Sequence, residues 1–189
     1  MDDKMAEQIE IRLSGAGGQG IVLGAIILAE AAGIYEGKHV VQNQSYGVEA
    51  RGGASRAEVI ISEQEIVYPE VVLPDILLAM NRQSLEKYQG KVNSKGILLY
   101  NTSLATQKID SPAKIIGLPL TEIAKATGGE VVSNIVALGA LVGLTKVVSL
   151  EAMEKALEKR VPAGTMDKNR KALAAGFKAA QELDQNWTN

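Results

Sequence analysis

The run Gly15-Ala16-Gly17-Gly18-Gln19-Gly20 constrains the fold more than any other feature of this chain. It follows a short alternating segment, Ile9 to Leu13. It precedes Ile21 to Tyr35, a stretch rich in Ala, Ile and Leu without proline. The first segment reads as a strand, the glycines as a tight turn, and the third as a helix buried against a sheet, because apolar residues fall on nearly every side of it. Gly33 and Gly37 mark its end, and His39 to Gln42 reads as a second strand. Strand, turn, helix and strand in this order predict a βαβ unit with a parallel pair.

The rest of the chain extends the same pattern. Ser55 to Ile61 alternates and then turns apolar, as a third strand does, and Ile66 to Tyr68 is expected to pair back on it as a hairpin. Pro69 and Pro74 frame an irregular stretch. Asp75 to Met80 is a continuous apolar run, the pattern of a central strand. A short helix over Gln83 to Gln89 follows, then strands at Gly96 to Tyr100 and Lys114 to Leu118. The remainder is helical: Thr121 to Thr127, stopped by Gly128 and Gly129; Asn134 to Val147; Leu150 to Arg160 behind Ser149 as N-cap; and Thr165 to about Leu183. The expected architecture is a single α/β domain over residues 1–189, with three α/β/α layers and a mainly parallel, mixed sheet.

Composition narrows the chemistry. The 189 residues include no cysteine and one histidine, His39. Without thiolates the chain cannot hold an iron–sulfur cluster, act as a thiol enzyme or build a disulfide scaffold. A net charge of −2 and 4% aromatics give neither the basic footprint nor the stacking platform of a nucleic-acid binder. The acidic, polar segment Met1 to Glu10 is no signal peptide. Nor does any uncharged apolar run reach the roughly 18 residues of a membrane span. A cytoplasmic domain that engages neither nucleic acid nor membrane is expected.

Gly15, Gly17, Gly18, Gln19 and Gly20 are the first candidate site. They carry the G-x-G-x-x-G spacing between strand and helix, where backbone N–H groups and the positive end of a helix dipole suit phosphate. The alternative is that the glycines merely make a tight turn packed on the sheet. An NAD site would need a carboxylate near the end of the second strand. That region reads Val41-Gln42-Asn43-Gln44-Ser45, so a dinucleotide dehydrogenase is disfavoured. A P-loop lysine is missing as well, which disfavours ATP hydrolysis. The second candidate is Ser45-Tyr46-Gly47-Val48-Glu49-Ala50-Arg51-Gly52-Gly53, where Tyr46, Glu49 and Arg51 are more than a connector needs. Arg51 suits a phosphate or carboxylate, or else pairs locally with Glu49. Asn81, just past the central strand, either faces a ligand at the sheet's carboxyl edge or caps the next helix. Asn134 reads as a cap and His39 as structural. No nucleophile–base group, carboxylate pair or metal-ligand spacing can be assembled.

Taken together, the glycine run, the Ser45–Gly53 motif and Pro74-Asp75-Ile76-Leu77-Leu78-Ala79-Met80 resemble the gamma subunit of 2-oxoacid:ferredoxin oxidoreductases. Asn134 with Leu138-Gly139, and Asn169 with Ala172 and Gly176, fit the same pattern. The resemblance implies the fold of the coenzyme A-binding domain of pyruvate:ferredoxin oxidoreductase. It also implies a subunit of an enzyme that oxidatively decarboxylates a 2-oxoacid to acyl-coenzyme A and does not act alone. Thiamine diphosphate, magnesium and the iron–sulfur clusters would lie on alpha, beta and delta partner subunits, and electrons would pass to ferredoxin. Coenzyme A would be a co-substrate lying against Gly15 to Gly20, with no covalently bound cofactor. In fused relatives an asparagine and a lysine on the helix after the turn assist; here the helix starts Ile21-Val22-Leu23-Gly24-Ala25, without them. The alternatives are a non-catalytic nucleotide-binding regulatory module and the similar subunit of an indolepyruvate oxidoreductase.

Overall fold

A computed structural model of the chain describes residues 8–44, 54–104 and 108–187. Six strands, β1 (Ile9–Gly15), β2 (His39–Gln44), β3 (Ser55–Ser62), β4 (Ile76–Ala79), β5 (Ile97–Asn101) and β6 (Lys114–Leu118), form one sheet in the order β2-β3-β1-β4-β5-β6. The helices are α1 (Ile21–Glu30), α2 (Arg82–Tyr88), α3 (Leu120–Thr127), α4 (Ser133–Thr145), α5 (Leu150–Arg160) and α6 (Met166–Trp187). Strands β1, β4, β5 and β6 are parallel, and their register aligns Leu13, Leu78, Leu99 and Ile116 in one row across the sheet. Side chains alternate between faces with a period of two. Ile11, Leu13, Ile76, Leu78 and Leu99 meet α1 and α3 to α6, whereas Leu77, Ala79 and Leu98 meet Leu85 and Tyr88 of α2. Helices therefore lie on both faces, unequally.

Two expectations about pairing need correction. β1 and β2 do not pair: β3 lies between them, antiparallel to both. Alternation reports which residues face the core and is the same for either strand direction, so it does not reveal this insertion. Ile66 to Tyr68 forms no strand among the described residues. Its Val67 is 91% exposed, and the chain there runs as a strap over the sheet rather than along its edge.

The expected first helix covers α1 and a π-helical turn, Ala31–Tyr35, and Gly37 then leaves it at φ 70°. Ser149 caps α5 as expected, accepting from Ala152 N. Thr165 precedes α6; its hydroxyl donates to Pro162 O, and its Oγ1 accepts from Asn169 Nδ2. The end of α1 is tied to α5 by charge. Arg160 hydrogen-bonds Glu30 and holds its carboxyl below the ordinary range. Burial alone would raise the Glu36 carboxyl, but the Ser149 N–H at 2.6 Å and Lys38 outweigh it and lower it.

The inner helices touch through backbone. A Cβ on Gly139 would run into Leu173 O, and one on Gly176 into Val136 O. Gly143 repeats the contact one turn on, where a Cβ would stand 2.8 Å from Phe177 O. α4 and α6 thus cross at a spacing that only missing side chains allow.

Candidate functional site

The glycine turn joins β1 to α1 at the carboxyl edge of the sheet. Gly18 and Gly20 stand at φ 83° and 70°, a region other L-residues adopt rarely. Gly15 is needed for a different reason: a Cβ there would stand 2.7 Å from Gln19 Oε1 and 2.8 Å from Ile21 Cδ1. Gln19 closes the turn on itself. Its N–H donates to Ala16 O at 3.2 Å, and its Oε1 accepts from Ala16 N at 2.6 Å. Gly20 is the N-cap of α1 and offers no side chain, and no acidic residue occupies that helix's first turn. The first N–H groups of α1 therefore keep their hydrogen-bonding capacity and the positive end of the dipole.

The facing wall is the start of α4. Asn134 is not the cap expected of it: the helix begins at Ser133, and Asn134 lies in its first turn. Asn134 Nδ2 instead donates to Gly20 O at 3.3 Å, so α4 holds the glycine turn directly. α4, like α1, has no acidic residue in its first turn. Between them lies a cleft of about 430 Å³, lined by Gly18, Gln19, Gly20 and Asn134, with Leu23, Met80, Val131, Thr121, Ser133 and Glu130 completing it. Glu130 is its one titratable lining residue among those described. The cleft thus combines the apolar side chains of Leu23, Met80 and Val131 with the hydrogen-bonding groups of Gln19, Thr121, Ser133 and Asn134, and is fitted to hold a molecule rather than to move protons.

Several residues that sequence reasoning missed make the frame. Asn101, wholly buried at the end of β5, donates through Nδ2 to Thr121 Oγ1 at 2.8 Å and sets Thr121 at the cleft wall. Ser14, also wholly buried, donates to Ser55 O at 2.9 Å and lies 3.0 Å from Ser84 Oγ, tying β1, β3 and α2 together below the turn. A polar residue ending an apolar strand is the available signal for both.

Tyr46, Glu49 and Arg51 lie outside the described residues. The ends of their segment are placed, however. Ser55 pairs with Gly15, and Gln44 pairs with Ala57, the residue opposite Leu13. Ser55 thus lies beside the glycine turn, and Gln44 lies one strand further out. Asn81 is the N-cap of α2, its Oδ1 accepting from Ser84 N at 2.8 Å. It is not among the cleft residues; its neighbour Met80 is. His39 opens β2, where its backbone pairs with Ser62, and it is exposed. No helix among the described residues is long and apolar enough to cross a membrane.

Fold and cleft define an α/β domain with a binding cleft at the carboxyl edge of its parallel strands, the place where such sheets receive ligands. The model of the pyruvate ferredoxin/flavodoxin oxidoreductase family matches residues 10–179. The chain is 46% identical over 177 residues to the 2-oxoglutarate synthase subunit KorC of Methanocaldococcus jannaschii, covering 92% of this chain and 95% of that one. It is 47% identical to the solved gamma subunit of a keto/oxoacid ferredoxin oxidoreductase from Geobacter sulfurreducens PCA, with a TM-score of 0.84 over 92% of this chain and 99% of that one. It is 34% identical over 187 residues to the ketoisovalerate oxidoreductase subunit VorA of Methanothermobacter thermautotrophicus, covering 96% of this chain but only 38% of VorA. The chain belongs to the 2-oxoacid:ferredoxin oxidoreductase family, as a gamma-type subunit.

Proposed function

We propose that this chain brings coenzyme A to a ferredoxin oxidoreductase that oxidises 2-oxoglutarate, and that the cleft between the glycine turn and α4 receives the coenzyme. The observation that carries the reading is the meeting, in one cleft, of the Gly18–Gly20 turn at the start of α1, whose first turn holds no acidic residue, with Ser133 and Asn134 at the start of α4. Coenzyme A has three chemically distinct parts, and the lining suits them differently. Leu23, Met80 and Val131 match the methyl-bearing pantetheine arm, and Gln19, Thr121, Ser133 and Asn134 match its amides. The Gly18–Gly20 turn and the first N–H groups of α1 suit the diphosphate. Glu130 on the rim steers the phosphates toward α1.

The described cleft residues include no lysine or arginine. Arg51 supplies the missing cation in this reading, with Tyr46 and Glu49 from the same segment, because Ser55, just past that segment, pairs with Gly15. Asn81 acts indirectly, by fixing α2 behind Met80. When bound, the coenzyme's thiol gives up its proton and accepts the acyl group, the 2-oxoacid losing carbon dioxide and two electrons. This chain's residues bind and orient; with no cysteine it holds no cluster, and thiamine diphosphate, magnesium, clusters and the route to ferredoxin belong to alpha, beta and delta partners. The substrate assignment follows the KorC relative, which matches most of this chain's length and is nearly half identical to it. Residues 1–189 act as one folded unit.

Calorimetry on the isolated chain with coenzyme A, ATP and NAD tests the reading. Coenzyme A should bind, the other two should bind at least tenfold more weakly, and the chain alone should oxidise no 2-oxoacid. Arg51→Ala should weaken coenzyme A by roughly ten- to a hundredfold, the range for a hydrogen bond to a charged group. Selective binding of ATP or NAD would instead support the nucleotide-sensing module.

A further inference from the structure

The helices are spread unequally over the sheet. α2 packs on β4 and β1, with Leu98 of β5 in the same cluster, and on that face residues 67–73 run as an extended strap over Arg12 of β1 and Asn43 of β2. The strap is fixed from beneath. Asn43 Nδ2 donates to Pro69 O at 2.7 Å, and Arg12 Nη2 donates to Val71 O at 2.8 Å. Arg12 is itself 4% exposed, held 2.6 Å from Glu58 Oε1 and stacked over the Tyr88 ring. A buried guanidinium is costly unless its partners are good, and here one of them is the strap's own backbone. Val71 points inward, at 8% exposure.

This anchoring displays apolar groups instead of hiding them. Val67 is 91% exposed, Val72 69%, Tyr68 57% and Leu73 48%. Half of the eight exposed large apolar residues among those described fall in these seven positions. Single exposed apolar side chains are ordinary; a rigid cluster of them marks an interaction surface. Glu65 and Glu70 are exposed beside it, and Glu70 accepts from Tyr68 Oη at 2.8 Å. The rim is therefore charged and mainly acidic, with Arg56 lining the hollow beside Pro69 and Glu70, and the centre apolar, as at a protein interface.

In VorA a segment similar to nearly all of this chain makes up 38% of a longer polypeptide. There the domain has a permanent covalent neighbour, namely the other part of VorA. In the KorC relative the matching segment is 95% of the polypeptide, so in that protein a corresponding neighbour is held by surface contacts. We infer that the Val67–Leu73 strap is the docking surface for the subunit that corresponds to the remainder of VorA, which presents an apolar pocket edged by basic side chains. The inference rests on the reading of the chain as a subunit and is independent of where coenzyme A binds.

The test is co-expression of the chain with the other subunits of its complex. Val67→Glu with Val72→Glu should leave the chain folded, with its thermal midpoint and coenzyme A affinity unchanged, and lower its recovery in the complex at least about tenfold, as loss of an interface anchor does. Ile34→Glu, equally exposed but outside the strap, should leave recovery unchanged. With Tyr68 replaced by photoreactive benzoylphenylalanine, the cross-linked product should contain the VorA-remainder subunit. Full recovery of the double variant, an equal loss with Ile34→Glu, or cross-links to a second copy of the chain would each overturn the assignment. If the unaltered chain recovers no other subunit, the subunit reading itself falls, and that result is distinct from a failure of the strap variants alone.

Discussion

Gly20 is held from two directions at once. Its backbone stands at φ 70°, and Asn134 occupies the space where a Cβ would go while donating to its carbonyl. Gly20→Ala should therefore destabilise the fold by about 2 kcal/mol or more, combining left-handed strain with a steric clash. Asn134→Ala should remove about 1 kcal/mol with its hydrogen bond. Combined, the two should cost less than their sum, because the smaller residue at 134 makes room for the methyl group. Urea denaturation of the four proteins measures this, and strict additivity would mean that the two residues do not act on each other. The glycines at 15, 18 and 20 were legible in the sequence because a turn from strand into helix demands unusual backbone. The partner of Gly20 was not. Asn134 lies 114 positions away, and an asparagine near a helix start reads as a cap unless the far end of the contact is known.

At the scale of elements, α4 and α6 act as one body. Gly139 and Gly176 each face a carbonyl of the other helix, so neither helix can move outward without losing the packing of both. Gly176→Ala should force them apart and destabilise the chain by about 1–3 kcal/mol, the range for overpacking in a close-packed core, as read by thermal melting. Because α4 also carries Asn134, the same variant should loosen the glycine turn and, on the function proposed above, weaken coenzyme A binding. A Gly176→Ala variant as stable as the original would show that the contact gives way easily. The elements themselves were legible: the strand Lys114–Leu118 and the helix Leu150–Arg160 fall where the apolar pattern and Ser149 place them. What the pattern left open was which helix each buried face meets. Small residues on α4 are compatible with packing against a sheet or against another helix.

Across the whole molecule, the position of β3 decides how the site is completed. β2 and β3 are neighbours in sequence and pair with each other, whereas β1 meets β3 across 41 positions, as the Ser14–Ser55 hydrogen bond shows. Local pairing closes a short loop and long-range pairing a long one, so the β2–β3 hairpin is expected to form before it slots in beside β1. Pulse-labelled amide exchange during refolding should protect the β2–β3 ladder ahead of the Gly15–Ser55 end of β1. Simultaneous protection of both would contradict this order. If it holds, the glycine turn meets Ser55 only when the β2–β3 hairpin docks beside β1. The buried Ser14–Ser55 bond below the turn then forms only with that docking, so a chain halted before it lacks part of the frame that holds the glycine turn.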